Sequence, residues 1–377
     1  MPAALDALIV GLYVQIDDFL GPRHLGPGRR PKLTDSELIT LAVAQVLLAM
    51  PNDRQFLALA RWRLGHLFPQ LIDQSGYNRR LRQLAPHIGR CISYLAWISP
   101  SLHDRLRLLD STPVPCGQSR ETVKRSEFAG SAGYGYCHSH SRWFWGFRLY
   151  LICSGDGMPI GWELASANIG ERIVAAEMLD RITVAGHIVI ADKNFAGRDF
   201  EQLMTDHGAT FLRPDRKDEP RRHGSLGAIR QWIESTFWTC KGQLGLERHG
   251  ARTLTGLGAR IGLRLLALAA GINHNHLTGQ PARAFAAHGA RFLRPDRRNE
   301  PRRNGSLGAV RQWIESTFWT CKGQLGLEHH GARTRPASAP ASPCDSSPWP
   351  PASGTTTSPA SPDEPSPPTA ADYASTI

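Results

Sequence analysis

Two short apolar runs decide the fold, Leu106-Arg-Leu-Leu-Asp110 and His187-Ile-Val-Ile-Ala-Asp192. Each is too short for an average helix and is made mostly of aliphatic residues, so each predicts a buried strand. Each run also ends in an aspartate. If the two strands are parallel neighbours, both carboxylates emerge at the same end of a sheet.

The residues around these runs predict the rest of a mixed sheet. Trp143–Cys153 alternates in polarity, Gly155-Asp-Gly157 predicts a turn, and Pro159–Ala165 completes a hairpin. Further elements follow along the chain: helices at Glu171–Ile182, Arg198–His207 and Ala228–Leu244, and a strand at Thr210–Arg213. This order of strands and helices is typical of an α/β ribonuclease-H-like fold, a mixed sheet flanked by helices.

Residues 1–100 have helical periodicity instead. Thr34-Asp-Ser-Glu37 is a capping box that opens the apolar stretch Leu38–Met50, and two amphipathic stretches follow at Arg54–Phe68 and Tyr77–Trp97. Several arginines lie on the last stretch. The pattern predicts an all-α, helix-turn-helix-like DNA-binding domain, or alternatively an ordinary helical bundle with a solvated basic face.

The composition favours a polyanionic partner. The chain has 377 residues, a formal net charge of +11 and a pI of about 9.7, which is typical of many nucleic-acid-binding proteins. Its seven cysteines form no C-x-x-C pair, and the N-terminus has no basic leader. The apolar run Ile261–Ile272 is short for a membrane span. We therefore expect a soluble cytoplasmic protein with no membrane partner.

An internal repeat alters the C-terminal part of the chain. His207–Thr253 recurs almost unchanged as His288–Thr334, as a recent tandem duplication would produce. The segment 335–377 is rich in Pro, Ser, Ala and Thr, which predicts disorder. Read one base out of register, its codons permit the sequence that follows Thr253, so we interpret it as a frameshifted second copy. A genuine flexible interaction tail is the alternative.

Three carboxylates are candidates for a metal site. Asp110 and Asp192 follow the two deciding runs, and Glu234 lies on the predicted helix Ala228–Leu244. Phosphodiester cleavage is served by two Mg²⁺ ions about 4 Å apart, which prefer carboxylate oxygens, and Mn²⁺ is expected to substitute. Taken singly, each acid is equally compatible with a turn cap or a solvated helix face.

Three segments resemble the acidic motifs of DDE insertion-sequence transposases: Leu108-Leu-Asp-Ser-Thr-Pro-Val114, Val189-Ile-Ala-Asp-Lys-Asn-Phe195 and Arg230-Gln-Trp-Ile-Glu-Ser-Thr-Phe237. The third motif also has the familiar spacing Arg230, Glu234, Lys241. The chain departs from the family pattern at Gly227, where a Tyr is usual, and at Asn194, where a Gly is usual. The resemblance extends over roughly residues 5–285.

The resemblance implies a catalytic domain over residues 101–285, with catalysis by Asp110, Asp192 and Glu234. The repeat, residues 286–334, supplies a twin of the last acid, Glu315. We prefer Glu234 because its helix is followed by the intact apolar run Ile261–Ile272. The implied partners are the terminal inverted repeats of a transposon, target DNA and further copies of the chain, in a bacterial, nucleoid-associated setting.

Several side chains are candidates for contacts with DNA. Phosphate contacts are expected from Lys193, Arg230, Lys241, Lys124 and Arg125. Four aromatic residues interleave with arginines: Tyr134, Tyr136, Trp143 and Trp145. For most of these rings the sequence favours packing in the core over stacking on unpaired bases.

Two other functions fit the same sequence. A ribonuclease-H-like nuclease would cut without strand transfer, and a degraded element would leave a DNA-binding protein with no activity. The duplication and the altered tail keep the second alternative open.

Overall fold

The computed structural model describes residues 2–21, 31–117, 119–137, 141–216, 219–220, 222 and 226–284. The second copy of the repeat at 286–334, with Glu315, and the tail at 335–377 lie outside the described residues.

The front of the chain is helical, as predicted. Its helices are α1 (Pro2–Leu20), α2 (Asp35–Leu47), α3 (Asp53–Arg63), α4 (Gln74–Gln83) and α5 (Ala85–Ile98). The capping box is confirmed, since Thr34 Oγ1 accepts from the Glu37 amide at 3.1 Å and Glu37 Oε2 accepts from the Thr34 amide at 2.6 Å. The predicted stretch Tyr77–Trp97 is two helices, because Pro86 has no amide proton and begins a new first turn.

The strands form a mixed sheet. They are β1 (Leu106–Gly117), β2 (Gly133–Cys137), β3 (Arg142–Ser154), β4 (Pro159–Ser166), β5 (Ile188–Ala191) and β6 (Thr210–Leu212). β3 pairs antiparallel with β1 and β4, while β1, β5 and β6 are parallel neighbours. The spatial order β4-β3-β1-β5-β6 confirms the ribonuclease-H-like sheet.

β1 is longer than predicted, and the expectation that the first strand ends at Asp110 is wrong. Pairing with β5 stops at Leu109↔Ala191, but pairing with β3 continues to Gly117. Beyond Leu109 the strand therefore has a free edge on the β5 side. That edge tolerates Pro113 and Pro115, which cannot donate a ladder hydrogen bond.

β2 is a strand that the sequence did not predict. It pairs antiparallel with the first residues of β3, from Gly133↔Gly146 to Cys137↔Arg142. This segment contains glycines, which are rare in strands, so its sequence did not indicate a strand. Gly135 is required for packing, because a Cβ there would stand 2.8 Å from the backbone oxygen of Ala167.

Helices cover both faces of the sheet. α7 (Glu171–Leu179) and α8 (Arg198–Asp206) share a core with Leu109, Tyr150 and Val189, whereas α9 (Gly227–Trp238) and α10 (Leu254–Leu277) pack on the opposite face. The short helix α6 (Arg120–Arg125) joins β1 to β2. The predicted helix Ala228–Leu244 ends early, at Trp238, and a π-helical turn follows at Thr239–Gln243.

α10 connects the sheet with the helical front. Its buried residues belong to the same hydrophobic cluster as side chains of α1, α2 and α5. Of the helices that the structure describes, α10 alone is long and apolar enough to cross a membrane. However, 78% of its most apolar 18-residue stretch is buried within the protein. Its apolar composition is therefore explained by its position in the protein core. The boundary between residues 1–100 and 101–285 stays a prediction.

A buried polar network reinforces this junction. Arg260 of α10 contacts Asp53 Oδ2 at 2.5 Å and Asn78 Oδ1 at 2.9 Å. Gln45 donates to Asp53 at 2.8 Å and accepts from the Tyr77 hydroxyl at 2.7 Å. Because every member of this network has a partner, burial of its charges is offset by hydrogen bonds.

The bulge where β1 meets β3 makes a test of the fold. Gly146 has φ of +153°, and a methyl group there would collide with the carbonyl oxygen of Val114. We expect Gly146→Ala to lower the free energy of unfolding by about 1–3 kcal/mol, measured by denaturant titration. The control is Gly89→Ala in α5, where the new methyl group meets nothing within 4 Å. Equal stability of the two variants would contradict the described bulge.

Candidate active site

Asp110 and Asp192 are neighbours at the carboxyl end of the parallel ladder. Leu109 and Ala191 are its final pair, so the two aspartates that follow lie on adjacent chains at the point where these chains separate. Paired strands are about 4.8 Å apart, which brings the carboxylates within electrostatic reach of each other. The sequence predicted that Asp110 and Asp192 would lie at the same end of the sheet.

The environment of Asp110 disfavours its negative charge. The side chain is half-buried, and its Oδ1 accepts a hydrogen bond of 2.7 Å from the Ser111 amide. Burial, and to a smaller extent the carboxylates of Asp192 and Glu171, raises the pKa of Asp110 to about 7. A cation at this position would relieve the repulsion.

α9 supplies a cation to the same place. Its buried residues Ile229, Ile233 and Phe237 anchor the helix on the sheet. Arg230 Nη2 then lies 3.1 Å from Asp192 Oδ1 and 4.0 Å from Glu234 Oε1. The guanidinium group therefore bridges the second and third acids that the sequence selected.

The three acids do not form a ready metal cage. Across the described part of the chain, no group of three or more His, Cys, Asp or Glu side chains converges closely enough to hold a metal ion. The Glu234 side chain is 60% exposed, whereas that of Asp192 is 20% exposed. The donor set of hard carboxylate oxygens still fits Mg²⁺ or Mn²⁺, and Arg230 marks a position that favours positive charge.

Of the other predicted DNA contacts, Lys193 lies beside the aspartates, whereas Lys241, Lys124 and Arg125 lie toward the far end of β1. Lys193 directly follows Asp192 and is exposed. Lys241 lies in the π-helical turn, 3.6 Å from Glu247. Lys124 and Arg125 are exposed on α6. Within the residues that the structure describes, no ion pair joins Lys124, Arg125 or Lys241 to either aspartate.

Glu171 is a neighbour of the site that the sequence did not suggest. It opens α7, accepts from Ser111 Oγ at 2.8 Å and lies 3.3 Å from Arg148. Because Ser111 also donates its amide to Asp110, Glu171 is linked to the first acid through a single residue. The signal in the sequence was weak, since an acid in the first turn of a helix is usually explained by the helix dipole.

The four aromatic residues of β2 and β3 divide into two groups. Trp145 is buried, as expected. Trp143 and Tyr134 are 69% and 54% exposed, so the preference for core packing is wrong for these two. The pairing Tyr134↔Trp145 and Tyr136↔Trp143 places all four on one face of the hairpin.

The chain is similar to a known protein family and to a solved structure. Residues 101–270 match the family model described as the transposase DDE domain. No curated protein sequence matches the chain. Among solved structures, a piggyBac transposase synaptic complex with hairpin DNA is similar at a TM-score of 0.33 and 10% identity, covering 75% of this chain and 77% of that chain.

Proposed function

Because residues 101–270 of this chain belong to the family of transposase DDE domains, we propose that it cuts DNA at the ends of an insertion sequence and joins the freed ends to target DNA. The observation that carries the proposal is the meeting of Asp110 and Asp192 at the end of the parallel ladder, with Arg230 beside them. This arrangement concentrates negative charge where divalent cations and a phosphodiester would meet.

Asp110, Asp192 and Glu234 are the residues that would hold two Mg²⁺ ions, with Mn²⁺ as a substitute. When bound, such ions activate the attacking oxygen and stabilise charge on the leaving oxygen. The chain's own residues prepare the site. The Ser111 amide fixes one oxygen of Asp110, and the extended β1 backbone holds that carboxylate beside Asp192.

The two proposed steps use the same carboxylates. In cleavage, a water oxygen attacks phosphorus and the bond to the 3′-oxygen breaks, leaving a free 3′-hydroxyl. In strand transfer, the oxygen of that hydroxyl attacks phosphorus in a target phosphodiester and loses its proton. The bond from that phosphorus to the target's own 3′-oxygen breaks, and the leaving oxygen takes up a proton to become a 3′-hydroxyl on the target strand. Lys193, Arg230 and Lys241 are proposed to contact the phosphates of the DNA, since their charges flank the carboxylates in sequence and, for Arg230, in space.

Glu234 is the proposed third acid, in preference to Glu315. The first copy of the repeat uses contacts whose partners occur once in the sequence: β6 pairs with β5, and Arg213 contacts Glu201 at 2.8 Å. The second copy repeats that arginine as Arg294 but brings no second β5 and no second Glu201. Glu234 also shares Arg230 with Asp192.

The proposed partners are terminal inverted repeats, target DNA and other copies of the chain, in the bacterial cytoplasm at the nucleoid. The formal net charge of +11 supports a polyanionic partner. Residues 1–100 are proposed as the domain that recognises the ends of the element. We propose 101–285 as the catalytic domain, and 286–377 as a duplicated and frameshifted extension with no part in catalysis.

A DNA-binding remnant without activity is a second candidate, favoured by the repeat and the altered tail. The two candidates differ in a simple assay. Cleavage and joining of the element's own ends in Mg²⁺ or Mn²⁺ supports the transposase, whereas salt-sensitive binding without cutting supports the remnant.

Removing either aspartate tests the catalytic assignment. We expect Asp110→Asn and Asp192→Asn to lower the rate of metal-dependent cleavage by at least about 100-fold, because each removes an anionic ligand. Cleavage of labelled inverted-repeat DNA is the measurement. Asp199→Asn, an exposed acid on α8, is the matched control and is expected to keep the wild-type rate. Cleavage at a normal rate by Asp192→Asn would refute the assignment.

The choice between the duplicated acids has its own test in the full-length chain. Glu234→Gln is expected to lower the cleavage rate by at least about 100-fold, and Glu315→Gln to change it by less than about twofold. The pair is matched in chemistry and in local sequence. If Glu315→Gln were the damaging substitution, the second copy would be the working one.

Arg230 is expected to compete with metal in the DNA-free protein. Replacing it by Gln removes a positive charge 3.1 Å from Asp192 Oδ1, so the affinity for Mn²⁺ should rise by about threefold to tenfold in calorimetric titration. Arg181→Gln, which breaks an exposed ion pair with Glu163, is the control and should leave the affinity unchanged. Weaker Mn²⁺ binding by Arg230→Gln would contradict the competition.

A further inference from the structure

A cavity of about 970 Å³ lies at the other end of β1 from the aspartates. Its walls come from the end of α2, the end of β1, the β2–β3 hairpin, residues 241–251 and α10. We call it the hairpin cavity and define it by Arg120, Tyr134, Arg142, Trp143, Arg248 and Arg264. Gly117, on its wall, is seven residues beyond Asp110 in an extended strand, a distance of roughly 23 Å.

The hairpin cavity carries an excess of positive charge. Arg120, Arg142 and Arg248 are exposed and have no carboxylate within 4 Å among the described residues. The acid on the lining, Glu247, lies 3.6 Å from Lys241, which offsets its charge. The site therefore favours an anionic ligand.

Arg264 adds a buried charge to this wall. Its guanidinium donates to the backbone oxygens of Gly245 at 2.9 Å, Arg260 at 2.7 Å and Arg248 at 3.2 Å. Its donors thus go to carbonyl groups, and among the described residues no ion pair neutralises its positive charge. The same bonds fix the segment that carries Arg248.

Aromatic surface faces the same space. Trp143 is 69% exposed although it belongs to a strand, and Tyr134 is 54% exposed on the same face of the hairpin. Tyr136 supports the indole of Trp143 edge-on, with ring centroids 5.4 Å apart. The exposed Trp143 ring, fixed by Tyr136, can stack on an unpaired base. The nearby guanidinium groups can contact the phosphate of the same nucleotide.

We propose that the hairpin cavity binds unpaired nucleotides of a DNA strand. Bases stack on Trp143 and Tyr134, and phosphates contact Arg120, Arg142 and Arg248. The volume of about 970 Å³ is in the range of small-ligand sites and is large enough for a nucleotide or two. The inference rests on the proposed function for its choice of DNA. It adds a strand-holding site separate from the acids, where a DNA strand leaving the cut would be kept apart from its complement.

The test is binding of a fluorescein-labelled oligothymidylate of roughly 12 nucleotides, followed by anisotropy in EDTA so that no cleavage occurs. We expect Trp143→Ala to weaken binding by at least about fivefold and to leave binding of a duplex of equal length unchanged. Leu277→Ala is the control, since this apolar side chain is 69% exposed at the end of α10, lies outside the proposed end-recognition domain and does not line the cavity. Equal affinities of the two variants for the oligothymidylate, or an equal loss on the duplex, would overturn the proposal.

A charge variant gives an independent reading. Arg142→Gln should reduce the slope of log affinity against log salt by about 0.7 for the single strand, the value for one lost phosphate contact. An unchanged slope would count against the phosphate contacts. Because these measurements need no metal, a chain that fails to cut DNA but binds the oligothymidylate through Trp143 would refute the proposed function and leave this inference standing.

Discussion

The ladder between β1 and β5 is the constraint on which the rest of the site depends. It ends at Leu109↔Ala191, and both chains place an aspartate directly after it. Burial, and to a smaller extent the neighbouring carboxylate of Asp192, disfavours the negative charge of Asp110 and raises its pKa to about 7. In the protein without metal, Arg230 of α9 compensates the charge of Asp192.

β1 also continues well beyond the end of its ladder with β5. Freed from β5 beyond Leu109, the strand continues on β3 alone, accommodates two prolines and ends in a bulge opposite Gly146. That extension carries the chain from the aspartates to the hairpin cavity. A single strand thus connects the proposed centre of catalysis with the proposed strand-holding site, and both would act on one DNA molecule.

The sequence predicted those features that depend on local pattern. Apolar runs gave the deciding strands, and the capping box gave the start of α2. The sequence did not predict features that depend on contacts between residues distant in the chain. The extension of β1 depends on pairing with β3, β2 is concealed by its glycines, and the exposure of Trp143 depends on the open space beside the hairpin. The contact of Arg230 with Asp192 joins residues far apart in the chain and has no local signature.

Anomalous scattering from Mn²⁺ in crystals of the chain bound to its inverted-repeat DNA is the most direct measurement of the central claim. The account predicts anomalous peaks in contact with the carboxylates of Asp110 and Asp192, with Glu234 turned toward them. It also predicts that Arg230 Nη2 has left its position 3.1 Å from Asp192 Oδ1 for a phosphate. Ordered Mn²⁺ that contacts neither aspartate, with Arg230 still paired to Asp192, would contradict it.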